Sequence, residues 1–168
     1  MQPRRLLLIR HATAADGTVD ADRPLTGSGV RNAGAIGAWL LQAELTPDHV
    51  LVSPALRAAQ TWEQAGTRLD GVPQPVPDAR IYDNTVEQVL ATIREAPDDA
   101  GIVAVVGHNP SIGELSAILG DGGGSPEARR AVDRGFPAGG IAVFVLPGPF
   151  AAVEPGCATL TDFVVPGD

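Results

Sequence analysis

Residues 4–13 read RRLLLIRHAT, a short apolar run that ends in an adjacent arginine and histidine, Arg10 and His11. An unbroken run of leucine and isoleucine is typical of a strand buried on both faces, as in a parallel sheet covered by helices. Two more runs have the same character, at residues 50–52 (VLV) and 102–106 (IVAVV). These three segments predict the centre of a buried parallel sheet.

Helical patterns lie between and after these runs. The sequence predicts a helix from Thr26 to about residue 44, a second from Pro54, a third after the capping-box pair Thr85 and Gln88, and a fourth from residues 109–110. The apolar stripes expected to face the core are Val30, Ala33, Gly37, Leu40 and Leu41 in the first helix, Ala58, Trp62, Ala65 and Leu69 in the second, Val86, Val89, Leu90 and Ile93 in the third, and Ile112, Leu115 and Leu119 in the fourth.

The C-terminal part has a looser pattern. Residues 122–126 (GGGSP) are typical of a flexible loop, and residues 127–134 indicate a short polar helix. Two later strands, at residues 141–146 and 159–165, flank a turn-rich segment and can pair as a hairpin. With no repeat and no linker, the chain is expected to form a single domain over residues 1–168: a three-layer α/β/α sandwich with a mostly parallel central sheet.

Composition narrows the possible functions. The formal net charge of −8 argues against a nucleic-acid partner, although a few arginines in one pocket can still bind a phosphate group. The single cysteine, Cys157, excludes an internal disulfide and a thiolate-rich metal site. The first apolar run is too short for a signal peptide, and no stretch approaches the roughly 18 apolar residues of a membrane span. We therefore expect a cytoplasmic protein without a membrane partner.

Side chains suited to phosphate follow all three buried strands. Arg10 and His11 come directly after the first strand, Arg57 lies on the first turn of the helix after the second, and His108 follows the third. In an open α/β sheet, ligands bind at the carboxyl ends of the strands, and helix N-termini there favour anions. Guanidinium groups bind two phosphate oxygens at once, whereas imidazoles transfer protons. These four residues predict a phosphate pocket.

Three polar residues next to these positions have two interpretations each. Ser53 and Asn109 are expected to cap the helices that follow them, and both can also line the pocket as substrate-binding residues. Thr13 either reaches the phosphate or only stabilises its own loop. A metal site made of His11, His108 and a carboxylate is an alternative, but two arginines would repel a divalent cation. The sequence therefore predicts neither a metal nor a cofactor.

At these residues the chain resembles the histidine phosphatase superfamily, also described as phosphoglycerate mutase-like. Its signature has Arg-His after the first strand, an arginine in a Ser-Pro-x-x-Arg segment and a second histidine after a later strand. The matching segments are residues 10–11 (RH), 53–57 (SPALR) and 107–110 (GHNP), and residues 22–26 (DRPLT) and 57–61 (RAAQT) are also similar. The resemblance covers about residues 4–120, with several motifs in the family's order.

The short chain indicates one branch of this superfamily. Only residues 62–92 lie between Thr61 and Ile93, which leaves no room for the large helical cap insertion of the mutases and larger acid phosphatases. The chain thus resembles the compact SixA-type phosphohistidine phosphatases. This implies a phosphatase whose substrate is a phosphorylated protein carrying phosphohistidine. The alternatives are a phosphatase of small phosphate esters and a non-catalytic phosphate-binding interaction module.

The resemblance also implies a mechanism. Neutral His11 attacks phosphorus in line and forms a phosphohistidine, which water then hydrolyses. Arg10, Arg57 and His108 stabilise the charge on the phosphoryl oxygens. For this role His11 needs one free ring nitrogen, so its other ring nitrogen is expected to donate to a backbone carbonyl or a similar acceptor.

Asp83 is the expected proton donor to the leaving group. It lies in residues 81–84 (IYDN), where relatives often have glutamate after tyrosine. Its alternative role is to bond the exposed N–H groups of the helix that opens at Thr85. In that case His108 or water is the proton source. A phosphohistidine substrate is then the more natural choice, because its imidazole leaves more readily than an alkoxide and a strong acid matters less.

Overall fold

The computed structural model describes residues 2–167. The strands in this part of the chain form a six-stranded sheet. Its strands are β1 (Arg4–Arg10), β2 (His49–Val52), β3 (Val76–Pro77), β4 (Ile102–Gly107), β5 (Ile141–Leu146) and β6 (Thr159–Val164), in the order β3-β2-β4-β1-β5-β6. The first four are parallel, whereas β5 runs antiparallel to both β1 and β6. The predicted central strands and the predicted hairpin are therefore confirmed.

Helices cover both faces of this sheet. In residues 2–167 they are α1 (Gly27–Gln42), α2 (Leu56–Gly66), α3 (Ala79–Asp83), α4 (Val86–Arg94), α5 (Ser111–Leu119) and α6 (Pro126–Asp133), with 3₁₀ turns at Asp20–Asp22 and Phe150–Ala152. Side chains of α4, α5 and α6 pack against the face of the sheet that carries Leu6 and Val103. Side chains of α1 and α2 pack against the other face, which carries Leu7 and Ala104. The predicted three-layer sandwich is confirmed. None of the helices in this part of the chain has the length and apolarity needed to cross a membrane.

Side-chain caps start two of the predicted helices as expected. Thr26 Oγ1 accepts the N–H of Gly29 at 3.0 Å, and Thr85 Oγ1 accepts the N–H of Gln88 at 3.2 Å. Each hydroxyl satisfies a backbone donor that has no partner within its own helix. The polar helix α6 is also confirmed, and its first turn is capped by Ser125.

The prediction that α2 starts at Pro54 is wrong. The helix begins at Leu56, because Ala55 is still extended, with φ −58° and ψ 138°. Ser53 was expected to cap this helix, but the N-cap is Ala55 and no side chain caps it. The Ser53 hydroxyl instead accepts the N–H of Ala55 at 3.2 Å and so supports the turn before the helix. Arg57 is consequently the second residue of the helix and remains on its first turn.

The apolar stripe predicted for α1 is only partly correct. Val30 and Leu41 are 39 % and 52 % exposed, whereas Ile36, outside that stripe, is fully buried. The reason is that α1 packs against α2 as well as the sheet, with Gly37 so close to Ala65 that a Cβ would collide with the Ala65 carbonyl oxygen. Glycine permits this approach of two backbones, so that α1 is covered both by α2 and by the sheet.

Two elements between α2 and α4 have no counterpart in the sequence analysis. β3 contains only residues 76–77, and α3 only residues 79–83. Elements this short carry too few apolar residues to show a period. The segment has no large helical insertion, in agreement with the expectation for this region.

Candidate active site

The carboxyl ends of β1, β2 and β4 bring the four predicted pocket residues together. His11 follows β1, His108 follows β4, and Arg57 begins the helix after β2. The ring centroids of the two histidines are 5.1 Å apart. His11, Arg57 and His108 are 9 %, 7 % and 4 % exposed, so three polar side chains are buried in one place.

The hydrogen bonding of His11 leaves one ring nitrogen free. Its Nδ1 lies 2.7 Å from the carbonyl oxygen of Ala12. Because a carbonyl can only accept, Nδ1 carries the proton and Nε2 keeps its lone pair. Burial first, and then charge repulsion from Arg57 and Arg10, lower the pKa of His11 to about 4. The ring is therefore neutral at pH 7 and can act as a nucleophile, with the backbone acceptor that the sequence analysis expected.

His108 presents a proton instead of a lone pair. Its Nε2 lies 2.7 Å from the hydroxyl of Ser53, which already accepts the N–H of Ala55. Ser53 is fully buried and, in residues 2–167, its hydroxyl has no acceptor other than Nε2, so it donates to Nε2 and the neutral ring carries its own proton on Nδ1. Burial lowers the pKa of His108 to about 3, with His11 and Arg57 adding charge repulsion. Nδ1 can donate a hydrogen bond to an anion.

Arg10 and Asn109 share one backbone acceptor. The carbonyl of Phe136 accepts Arg10 Nη1 at 3.0 Å and Asn109 Nδ2 at 2.9 Å. Asn109 Oδ1 also accepts the N–H of Gly113 in α5 at 3.0 Å. The prediction that Asn109 is the N-cap of α5 is wrong, because Pro110 occupies that position; Asn109 instead bonds the third residue of the helix and holds the segment that orients Arg10. Burial lowers the pKa of Arg10 from its usual range.

Two buried donors in this region have no protein partner. In residues 2–167, Arg10 Nε and His108 Nδ1 are fully buried and make no hydrogen bond. Nearly all buried polar atoms in proteins are hydrogen-bonded, so unsatisfied donors need an explanation. A bound anion would satisfy both, since each atom carries an N–H.

Asp20 holds the guanidinium group of Arg57. Arg57 Nη1 donates to the Asp20 carbonyl at 2.8 Å, and Nη2 donates to Asp20 Oδ2 at 3.1 Å. The hydroxyl of Tyr82 donates to the same Oδ2 at 2.6 Å, and Arg23 Nη1 donates to Oδ1 at 3.0 Å. These three bonds, that of Tyr82 first, hold the pKa of Asp20 well below its usual range, so its carboxylate is ionised at pH 7.

Tyr82 also contacts the histidine pair. Its ring meets that of His108 edge-on, with centroids 5.7 Å apart and an interplanar angle of 86°. The bond to Asp20 raises the pKa of Tyr82, so its hydroxyl stays protonated at neutral pH. The sequence analysis missed both Asp20 and Tyr82. Tyr82 lies in the IYDN segment, in which the predicted functional residue is the neighbouring Asp83.

The RAAQT segment on α2 holds both ends of the loop between β1 and α1. Gln60 Oε1 accepts the N–H of Leu25 at 2.8 Å. The Thr61 hydroxyl donates to the Arg57 carbonyl at 2.7 Å and accepts the N–H of Ala12 at 3.0 Å. These bonds place the backbone after His11 directly against the helix that carries Arg57.

Asp83 and Thr13 are not brought into contact with the pocket side chains. Both are exposed, and within residues 2–167 neither side chain makes a hydrogen bond or ion pair. Thr13 contributes its carbonyl, which accepts the N–H of Thr26 at 3.0 Å. Next to Asp83, Asn84 donates to the Asn109 carbonyl at 2.7 Å and accepts the N–H of Ser111 at 3.1 Å. The proposed roles of Asp83 as acid and Thr13 as phosphate ligand stay predictions.

The fold and this pocket define an enzyme of the α/β class that acts on phosphoryl groups. The family model of the histidine phosphatase superfamily (branch 1) matches residues 6–83, which include His11 and Arg57. With the relatives described below, this match shows that the chain belongs to the histidine phosphatase superfamily and is a phosphatase.

Relatives over most of the chain agree with this assignment. An uncharacterised protein of Mycobacterium tuberculosis (strain CDC 1551) is 38 % identical over 94 % of this chain and 99 % of its own length. Phosphohistidine phosphatase SixA of Escherichia coli K12 is 31 % identical over 68 % of this chain and 73 % of its own. A structure assigned as a SixA phosphohistidine phosphatase of Nakamurella multipartitia superposes with a TM-score of 0.89 at 34 % identity, covering 100 % of this chain and 99 % of the other. The recognition of the family and the predicted fold class are confirmed.

Proposed function

We propose that the protein hydrolyses phosphohistidine on a partner protein through a phosphohistidine intermediate on His11. The observation that carries this proposal is the pairing of a free nucleophile with free donors. His11 Nε2 has an available lone pair, while Arg10 Nε and His108 Nδ1 are buried donors without a partner. A phosphoryl group between them supplies an electrophilic phosphorus to His11 and acceptor oxygens to the other two.

The chemistry follows from these atoms. As the bond from His11 Nε2 to phosphorus forms, the bond from phosphorus to the leaving nitrogen breaks. The substrate imidazole, protonated on its other ring nitrogen, takes the bonding electron pair and leaves as neutral imidazole, while His11 keeps its proton on Nδ1 and becomes a phosphorylated imidazolium. Arg10, Arg57 and His108 donate to the three equatorial oxygens, where charge spreads in the transition state. Water then attacks the phosphorylated His11, and inorganic phosphate and the neutral imidazole are released.

The state of the carboxylates near the site favours a substrate with a good leaving group, which needs no strong proton donor. The carboxylate in contact with Arg57 belongs to Asp20, and its lowered pKa keeps it ionised and unable to supply a proton at pH 7. Asp83 is exposed. An alkoxide leaving group needs a strong general acid, whereas a substrate imidazole that already carries a proton on its second ring nitrogen leaves as a neutral molecule. Phosphohistidine therefore suits this site better than an alkyl phosphate.

The approach to the site also supports a protein substrate. Between α2 and α4 the chain forms only β3 and α3, with no helical cap. A histidine on the surface of a folded partner can reach an uncovered pocket. The known SixA of E. coli, to which the chain is similar, is by name a phosphohistidine phosphatase.

The experiment is to mix the enzyme rapidly with a labelled phosphohistidine protein or a small aryl phosphate and to quench in alkali. We expect the label on His11, stable in alkali and lost in acid. His11→Ala should form no labelled enzyme and lose turnover. His49→Ala is the matched control, because His49 begins β2 at the opposite edge of the sheet. Full turnover by His11→Ala would contradict the proposal.

We also propose that hydrolysis needs no metal, because arginine and histidine donors supply the charge stabilisation. Activity should be the same before and after treatment with a chelator followed by desalting. Loss of activity that one particular divalent cation restores would favour the metal-site alternative.

A further inference from the structure

Asp20 joins three separate segments at the edge of the pocket. It lies on the 3₁₀ turn of the loop between β1 and α1, and its carbonyl and carboxylate accept from the two terminal nitrogens of Arg57 on α2. The same carboxylate accepts from Tyr82 on α3 and from Arg23 in its own loop. Its side chain is 53 % exposed, yet both of its oxygens are fixed by donors.

Arg57 needs such a partner to stay in place. Its side chain is 9 % exposed and lies on the first turn of α2, where the helix dipole disfavours a cation. Burial of a charge without a counter-charge is strongly unfavourable. A long side chain also has many rotamers, and the two hydrogen bonds that Arg57 donates to Asp20 select one of them. The ionised carboxylate therefore stabilises this arginine before any substrate is bound.

Asp20 leaves donors of Arg57 free for the substrate. A guanidinium group has five N–H donors, and Asp20 uses two of them. The remaining donors can bind phosphoryl oxygens while Asp20 fixes the direction in which they point. The negative charge of Asp20 then lies near the phosphate product and weakens its binding.

We propose that Asp20 is a positioning residue that orients Arg57 for the transition state and at the same time lowers the affinity for inorganic phosphate. This inference rests on the proposed role of Arg57 at the phosphoryl group. The effects of Asp20 on the reaction rate and on the affinity for phosphate differ in direction, which distinguishes this residue from a merely structural one. Losing the carboxylate should slow the reaction but strengthen phosphate binding.

The test compares Asp20→Asn with Asp22→Asn, which removes one charge from the same 3₁₀ turn at an exposed side chain. For each variant, kcat and KM are measured with an aryl phosphate, and phosphate binding is measured by calorimetry. For Asp20→Asn we expect kcat to fall about 10- to 100-fold, because misplaced catalytic groups lose rate to that extent. Phosphate should bind about 3- to 10-fold tighter, since a nearby like charge is removed. Asp22→Asn should match the wild type in both.

A second variant covers the case in which Asp20→Asn does not fold. Tyr82→Phe keeps the ring against His108 and removes one donor to Asp20. It should lower kcat less than Asp20→Asn, with KM little changed. Equal kcat in Tyr82→Phe and wild type, equal kcat in the Asp20 and Asp22 variants, or weaker phosphate binding by Asp20→Asn would each overturn the inference. A wild-type protein that neither hydrolyses the aryl phosphate nor binds phosphate would overturn the proposed function itself.

Discussion

The imidazole of His108 lies 5.1 Å from that of His11, centroid to centroid, with the ring planes tilted by 57°. The two rings have opposite hydrogen-bonding character in the pocket. The Ala12 carbonyl fixes a proton on His11 Nδ1 and frees the Nε2 lone pair, whereas the Ser53 hydroxyl leaves a proton on His108 Nδ1. One ring can therefore attack phosphorus while the other donates to a phosphoryl oxygen.

The pH dependence of the reaction should reflect these two buried rings. His11 must be neutral to attack, and its pKa of about 4 keeps it neutral until the pH falls through that value. We expect the enzyme's acid limb of kcat/KM near pH 4, after correction for ionisation of the substrate. A limb at the ordinary imidazole pKa of about 6.5 would show that His11 is not desolvated as described.

The same pKa shifts should reduce stability in acid. The folded-state pKa values of about 4 for His11 and about 3 for His108 lie below the unfolded value of about 6.5. The unfolded chain therefore binds protons first as the pH falls from 6.5, and the free energy of unfolding decreases over that range. The His108→Gln variant has no titrating group at this position. Its free energy of unfolding, measured by urea denaturation, should therefore decrease less than that of the wild type as the pH falls. If the free energy of unfolding depended equally on pH in the variant and in the wild type, this explanation would be contradicted.

Arg57→Lys should be costly although it keeps the positive charge. A guanidinium group can bind Asp20 and a phosphoryl oxygen in fixed directions at once, whereas an ammonium is a point donor on a mobile stem. We expect kcat/KM to fall by a factor of about 10² or more, as for other preorganised donors. Arg31→Lys, on the exposed face of α1, is the control and should be unchanged. Near-normal kinetics of the Arg57 variant would remove Arg57 from the phosphoryl site.

The role of Asp83 can be tested with leaving groups of graded basicity. A general acid contributes about 10²- to 10⁴-fold, most where the leaving group is poor. Because the Asp83 carboxylate is exposed, we expect Asp83→Asn to have a small effect on kcat/KM that is the same for every leaving group. A penalty that increases with the leaving-group pKa would instead show that Asp83 is the acid that the sequence predicts.

Gly37→Ala should destabilise the protein despite the better helix propensity of alanine. The added methyl group would collide with the Ala65 carbonyl where α1 meets α2. Overpacking of this kind lowers the free energy of unfolding by about 1–3 kcal/mol. At Gly27 the nearest atom to a new Cβ is Arg31 Nη1 at 3.7 Å, so Gly27→Ala is the matched control and should be neutral or stabilising. Equal urea midpoints for the two variants would contradict the close contact.

Much of the fold follows from local patterns. Residues 6–9, 50–52 and 102–106 form buried strands because their apolar side chains alternate between two covered faces, and each face needs a helical layer. The caps at Thr26 and Thr85 are equally local, since the hydroxyl reaches a backbone N–H three residues away. The close packing of α1 against α2 was not predictable, because it depends on how closely two distant backbones approach at Gly37.

The sequence by itself determined that Arg10, His11, Arg57 and His108 lie together, because Arg10 ends a buried parallel strand, the other three follow such strands, and these strands end at one edge of the sheet. Only the tertiary structure decided which neighbours orient them. Asp20 lies 37 residues from Arg57 and 62 from Tyr82, in a loop without periodicity. Hydrogen bonds between such distant side chains depend on the relative placement of three segments, and this placement exists only after the core has packed.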